Sequence, residues 1–155
     1  MTEMREQFNF GAVVSLSGVH PRTLDFWGKS GFLEPSIQKA AGTGSKRLYS
    51  FADIIAARIA RRFRERGVDL QGLRRVVNYL QRSRRLKNPP PDVRLVVLDD
   101  KVLIVRSDSE LVKAFSRSGQ AHDALVIDVG RTAEEVRRGL KEVAWPKPKP
   151  AALGT

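Results

Sequence analysis

The chain has 155 residues, enough for one ordinary domain or two small ones, and its 41% hydrophobic and 29% charged content suits a soluble globular protein. No apolar run approaches the ~20 residues of a membrane span, and the polar start Met1-Thr2-Glu3-Met4-Arg5 lacks the apolar core of a secretory signal. The absence of cysteine excludes disulfides, thiolate zinc sites and iron–sulfur clusters, so the cytoplasm is the expected compartment.

The net charge of +11 is unevenly spread. Met1 to Lys87 holds 17 Lys and Arg against 7 Asp and Glu, whereas Asn88 to Thr155 holds 11 against 10. A basic half joined to a nearly neutral half implies a polyanion-binding module plus a second unit with another task.

In chain order, a first helix is predicted from about Phe10 to Gly18, with Val13, Val14 and Leu16 inward and the glycine as its stop. A second opens at Pro21, whose missing N–H costs nothing in a first turn, with His20 as cap. Leu24, Trp27 and Phe26 are expected to anchor it, leaving Arg22, Thr23, Asp25 and Lys29 outside until Ser30-Gly31 ends it. A hairpin follows, with strands Ser36–Lys39 and Lys46–Tyr49 around the flexible tip Ala40 to Ser45.

Ser50 and Asp53 predict a capped helix running to Gly67, with Ala52, Ile55, Ala56, Ile59 and Phe63 as its apolar stripe. Asp69 caps a further helix whose Leu70, Leu73, Val76, Val77 and Leu80 share one side. Asn88-Pro89-Pro90-Pro91 is a stiff break.

Beyond it, Val93 to Leu98 and Val102 to Val105 read as strands around Asp99-Asp100. A helix capped by Ser107 and Glu110 runs to Ser118-Gly119, and Leu125 to Val129 is a third strand. Thr132 to Glu135 caps a last helix carrying Val136, Leu140 and Val143. Trp145 to Pro150 is proline-rich and reads as a tail.

The predicted class is α+β: a winged helix-turn-helix over residues 8–87, a small α/β unit over 92–144 (β-hairpin, helix, strand, helix) and a disordered tail over 145–155. Helix, turn, helix and basic wing in that order form what a protein needs to dock in a groove of duplex DNA. Arginine binds guanine bidentately, and threonine meets a thymine methyl or a phosphate. Arg22, Thr23 and Lys29 are the candidate readers, and Lys39, Lys46, Arg47 and Tyr49 are candidate phosphate contacts on the wing. Arg58, Arg61, Arg62 and Arg64 are set to follow the backbone beside the groove, against the plainer reading of a solvated helix face. Asp25 is expected to pair locally with Arg22 or Lys29.

The N-terminal pattern resembles the winged helix-turn-helix domain of the MerR family of bacterial transcription regulators. The residues that carry it are Ser17-Gly18-Val19, Pro21-Arg22-Thr23-Leu24, the pair Phe26-Trp27, Gly31-Phe32-Leu33-Glu34-Pro35, Arg47-Leu48-Tyr49-Ser50, Asp53-Ile54 and Gly67-Val68-Asp69-Leu70. The resemblance covers about half the chain and implies a dimeric DNA-binding regulator on a partly palindromic site. It also brings Phe26 and Trp27 into the contact set. Three departures stand out: Asp25 where the family usually has a basic residue, no tyrosine hydroxyl in the aromatic pair, and no long dimerisation helix after Leu70. The C-terminal part is faintly similar to antitoxin-like proteins through Gly119-Gln120.

The function read here is a sequence-specific double-stranded DNA-binding transcriptional regulator. The alternative is the DNA-binding antitoxin of a toxin–antitoxin pair, whose C-terminal unit binds the toxin rather than forming a homodimer. A phage-type architectural factor that bends DNA would use a similar reader. No nucleophile–base pair, metal-ligand spacing or cofactor fingerprint points to an enzyme, a metal site or a cofactor. Gly42-Thr43-Gly44-Ser45-Lys46 lacks the strand-to-helix context of a phosphate loop.

Overall fold

The computed structural model describes residues 7–39, 46–82, 93–98, 101–118 and 124–142. The expected wing tip, the proline break, the Asp99-Asp100 turn, Gly119-Gln120, Val143 and the tail from Trp145 lie outside these described residues.

Helix α1 (Phe10–Ser17) starts where the Asn9 side chain accepts the Ala12 N–H at 2.9 Å. It ends at Gly18, whose φ of 78° is a left-handed turn that a side chain would strain. Helix α2 (Pro21–Ser30) opens with Pro21, and the ring nitrogen Nδ1 of His20 accepts the Arg22 N–H at 3.1 Å. Among the described residues the expected two-stranded wing shows one bridge, Gln38 to Leu48, and a second bridge ties Phe8 to Tyr49. The chain between Phe32 and Ser36 therefore runs as irregular backbone held by side chains rather than by a ladder.

Buried Asp53 does most of that holding. Its Oδ2 accepts the Ser50 N–H at 2.9 Å, closing the capping box of α3 (Phe51–Glu65), and the Ser36 N–H and hydroxyl at 2.8 Å each. Its Oδ1 accepts from Gln81 at 2.7 Å on α4 (Leu70–Arg82). One carboxylate thus satisfies donors from the wing entry and two helices, which is what a charge needs to be stable inside a protein.

Strands β1 (Arg94–Leu98), β2 (Lys101–Val105) and β3 (Leu125–Asp128) form an antiparallel sheet in the order β2-β1-β3, with α5 (Asp108–Ser118) between β2 and β3 in sequence. Alternation along β1 divides its faces. Leu95 and Val97, with Ile127, join the core built by α1, α3 and α4, while Val96, Leu98 and Val105 pack under Leu111, Ala114 and Phe115 of α5. The architecture is mixed α+β, a helical N-terminal region followed by a small sheet with helices, as the sequence predicts.

Helix α6 (Val129–Glu142) leaves β3 without a loop. It begins three residues before the expected cap at Thr132, because Asp128 takes that role and accepts the Arg131 N–H at 3.0 Å. Thr132 is buried, its hydroxyl donating to the Asp128 carbonyl at 3.1 Å. Val129, Ala133 and Val136 of α6 enter the same core as α1 and α3. Gly139 allows the close approach, since a Cβ there would lie 3.0 Å from Leu16 Cδ2.

Two residues expected inside are outside: Phe26 is 65% and Leu70 57% exposed. In α2, Leu24 and Trp27 already fill the inward face, and Phe26 falls between them on the opposite side. Leu70 is the first residue of its helix, ahead of the inward Leu73, Val76, Val77 and Leu80.

Candidate nucleic-acid interface

The outward surface of α2 is built by its own spacing. With Leu24 and Trp27 inward, Arg22, Phe26 and Lys29 face solvent and Thr23 is half-buried. Trp27 itself lies in the core, 6% exposed, its ring 5.0 Å from that of Phe32 between centroids. In DNA binding, the role of Trp27 is therefore to hold Phe26 and Arg22 in place.

The cations fall into two groups. Arg22 and Lys46 are exposed, and so are Arg62 and Arg64 of α3; among the described residues none of these four side chains has an ion-pair partner. The others are engaged. Lys29 Nζ lies 3.1 Å from Asp25, Lys39 Nζ 2.9 Å from Glu34, and Arg61 3.2 Å from Glu65 one turn away. Arg61 also reaches over the turn between α1 and α2, where a Cβ on Gly18 would sit 3.2 Å from its guanidinium.

Arg47 and Arg58 are more deeply committed. Arg47 meets Asp25 at 2.7 Å and lies 5.5 Å from the Phe10 ring centroid, with its side chain only 15% exposed. Asp25, at the position where the resemblance expects a cation, thus ties α2 to the wing strand and pairs with Lys29 as expected. The Arg47 hydrogen bond, then Lys29, holds the Asp25 carboxyl below the usual carboxylate range. Arg58 donates to the Leu16 carbonyl at 2.7 Å and to Glu135 of α6 at 3.3 Å. It joins the end of α1 to α6.

Tyr49 is fully buried, and its hydroxyl has no hydrogen-bond partner among the described residues. Burial pushes its phenol above the ordinary value, partly opposed by the neighbouring Arg47 charge.

One of the α3 arginines expected beside the groove meets the reader helix. Arg64 lines a cleft of about 490 Å³ together with Arg22, Thr23 and Phe26 of α2, so the ends of α2 and α3 face one space. Its place one turn before Gly67, where the chain reverses, brings it there.

Residues 8–80 match the family model described as MerR HTH family regulatory protein. Over 66 residues the chain is 41% identical to an uncharacterised HTH-type transcriptional regulator of Mycobacterium bovis, and equally to two of Mycobacterium tuberculosis. The matched segment is 43% of this chain and spans 29% of the length of each relative. The N-terminal half is a MerR-type helix-turn-helix domain. Among the described residues no helix is long and apolar enough to cross a membrane.

Proposed function

We propose that the protein is a sequence-specific double-stranded DNA-binding transcriptional regulator. Helix α2 enters the major groove with Arg22 and Thr23 toward base edges, and Phe26 lies against the sugar–phosphate wall. Lys46 of the wing and Arg62 and Arg64 of α3 grip phosphates on either side, and Lys29 and Lys39 stand beside them, held back by Asp25 and Glu34. Arg47, Tyr49, Trp27, Arg58 and Arg61 keep the reader in shape. The observation that carries this reading is a MerR-type domain whose α2 exposes Arg22 and one bare aromatic ring, with Lys46, Arg62 and Arg64 also without an ion-pair partner among the described residues. Selection from a random duplex library tests it: a recovered motif supports the reading, and affinity equal for every duplex refutes it.

The C-terminal unit is assigned to protein–protein contact. Among the described residues both outer strands of the sheet lack a neighbour, and Leu103, Val126 and Val112 of α5 are exposed apolar side chains. The partner we favour is a second copy, placing two readers on one palindromic site where the described residues hold no long dimerisation helix. The alternative occupant is a toxin. Light scattering of the pure protein separates them: a stable homodimer supports the first, a monomer the second.

A further inference from the structure

The cleft shared by α2 and α3 has a composition that binding to a polyanion alone does not require. Its rim carries Phe26 and Leu70, two of the exposed large apolar residues in the N-terminal half, and its floor is the tilted Trp27–Phe32 ring pair. Its charged lining is Arg22 and Arg64, neither with an ion-pair partner among the described residues, and no carboxylate lines it. At about 490 Å³ it falls in the range of small-molecule sites, roughly 300–1,000 Å³.

These features select a ligand class. A small inorganic anion would satisfy the guanidinium groups but leave Phe26 and Leu70 in water. A neutral apolar molecule would cover the rings but set two cations against an uncharged body. A flat aromatic body carrying one carboxylate meets both demands, because arginine binds carboxylate through paired, charge-assisted hydrogen bonds and the ring buries apolar surface.

We propose that this cleft binds an amphipathic aromatic carboxylate, its ring between Phe26 and Leu70 and its carboxylate held by Arg22 and Arg64. Because Arg22, Thr23 and Phe26 are also the proposed reader, such a ligand and the duplex exclude one another. This second half rests on the DNA-binding reading. The ligand acts as an effector on the reader itself.

Calorimetric titration of the full chain with 2-naphthoate tests the site, with 2-naphthalenemethanol as the neutral analogue and acetate as the charge alone. Naphthoate is expected to bind and both controls to bind at least about tenfold more weakly, the scale of one charge-assisted contact. Arg64→Ala should weaken naphthoate by about tenfold, and Leu70→Ser should weaken naphthoate while leaving acetate unchanged. Both residues are exposed, and circular dichroism confirms that the variants fold. Equal binding of the neutral analogue, or naphthoate binding indifferent to both substitutions, overturns the site. In a second arm, a short duplex at low ionic strength is added to the naphthoate complex. Displacement supports the exclusion, and simultaneous binding overturns it. A chain that binds naphthoate but no duplex at all sinks the DNA reading and leaves the anion site standing.

Discussion

Asp25 sets how many positive side chains are available to DNA, and removing its charge should change that number in a countable way. Asp25 holds Arg47 at 2.7 Å and Lys29 at 3.1 Å. With both engaged, the cations of the proposed interface without an ion-pair partner among the described residues are Arg22, Lys46, Arg62 and Arg64. Each neutralised phosphate contributes about −0.9 to the slope of log affinity against log salt, so four contacts give a slope near −3.6 per protomer and about −7 for two copies. Asp25→Asn keeps the shape of the side chain but surrenders its charge. Lys29, already 70% exposed, is released outright, and Arg47 is freed to swing out of the wing strand.

The slope should then steepen by about 0.9 for Lys29 alone, and by about 1.8 per protomer if Arg47 follows. Affinity at low salt should rise with it. Fluorescence anisotropy of a library-selected duplex across a salt series reads both quantities, with thermal melts confirming that the variant folds. A slope that stays the same or becomes shallower would refute the reasoning, because it would mean that the Asp25 pairs do not compete with phosphate.

Arg22→Ala should cut discrimination between the selected site and a scrambled duplex by about ten- to a hundredfold, whereas Lys46→Ala should weaken both duplexes alike; the reverse pattern would exchange reader and clamp. Tyr49→Phe removes a buried hydroxyl without a partner, so stability at neutral pH should be unchanged or higher by about 1 kcal/mol in urea melts. Because the folded-state phenol titrates above its ordinary value of 10.0, the neutral form is the one the fold favours. That contribution is fully present below pH 10.0 and is lost as pH rises through the raised folded value; Tyr49→Phe should therefore unfold at higher pH than the parent, and identical alkaline transitions would count against the buried placement. Phe63→Ala, at a fully buried position of α3, should cost about 3–5 kcal/mol. Gly139→Val should lower the melting temperature more than Gly139→Ala, since even a Cβ would lie 3.0 Å from Leu16 Cδ2, and equal melts for all three would deny the α1–α6 contact.

Local signals were the most legible part of the chain. Gly18, Pro21 with His20, Gly31, the Ser50–Asp53 box and Asp69 each act through neighbours a few residues away, and each is found where its chemistry demands. The start of α6 was misread because Thr132 looks like a cap in sequence, while Asp128, counted as strand, takes the position. Asp53 was visible as a capping residue, but not as the acceptor of Ser36 and Gln81, which come from distant segments.

The interface was legible only in outline. A basic residue on a helix reads the same whether it faces water or another element. Whether Arg58 meets solvent depends on Glu135, 77 positions later, and whether Arg47 is free depends on Asp25 across the wing. Phe26 read as core because aromatic residues usually are, but Leu24 and Trp27 had already used the inward face of a ten-residue helix. Arg64 reads in sequence as one more backbone-tracking arginine, and the fold sets it across a cleft from Arg22.

The return of α6 onto the reader has a practical corollary for anyone cutting the gene. Val129, Ala133 and Val136 cover the backs of α1 and α3, and Glu135 neutralises Arg58 there. Severing the polypeptide after Arg82 would strip that cover, leaving a greasy seam and a half-satisfied guanidinium beside the very turn that orients α2. A clipped version is thus prone to self-association, and its behaviour would report on the wound rather than on the intact chain.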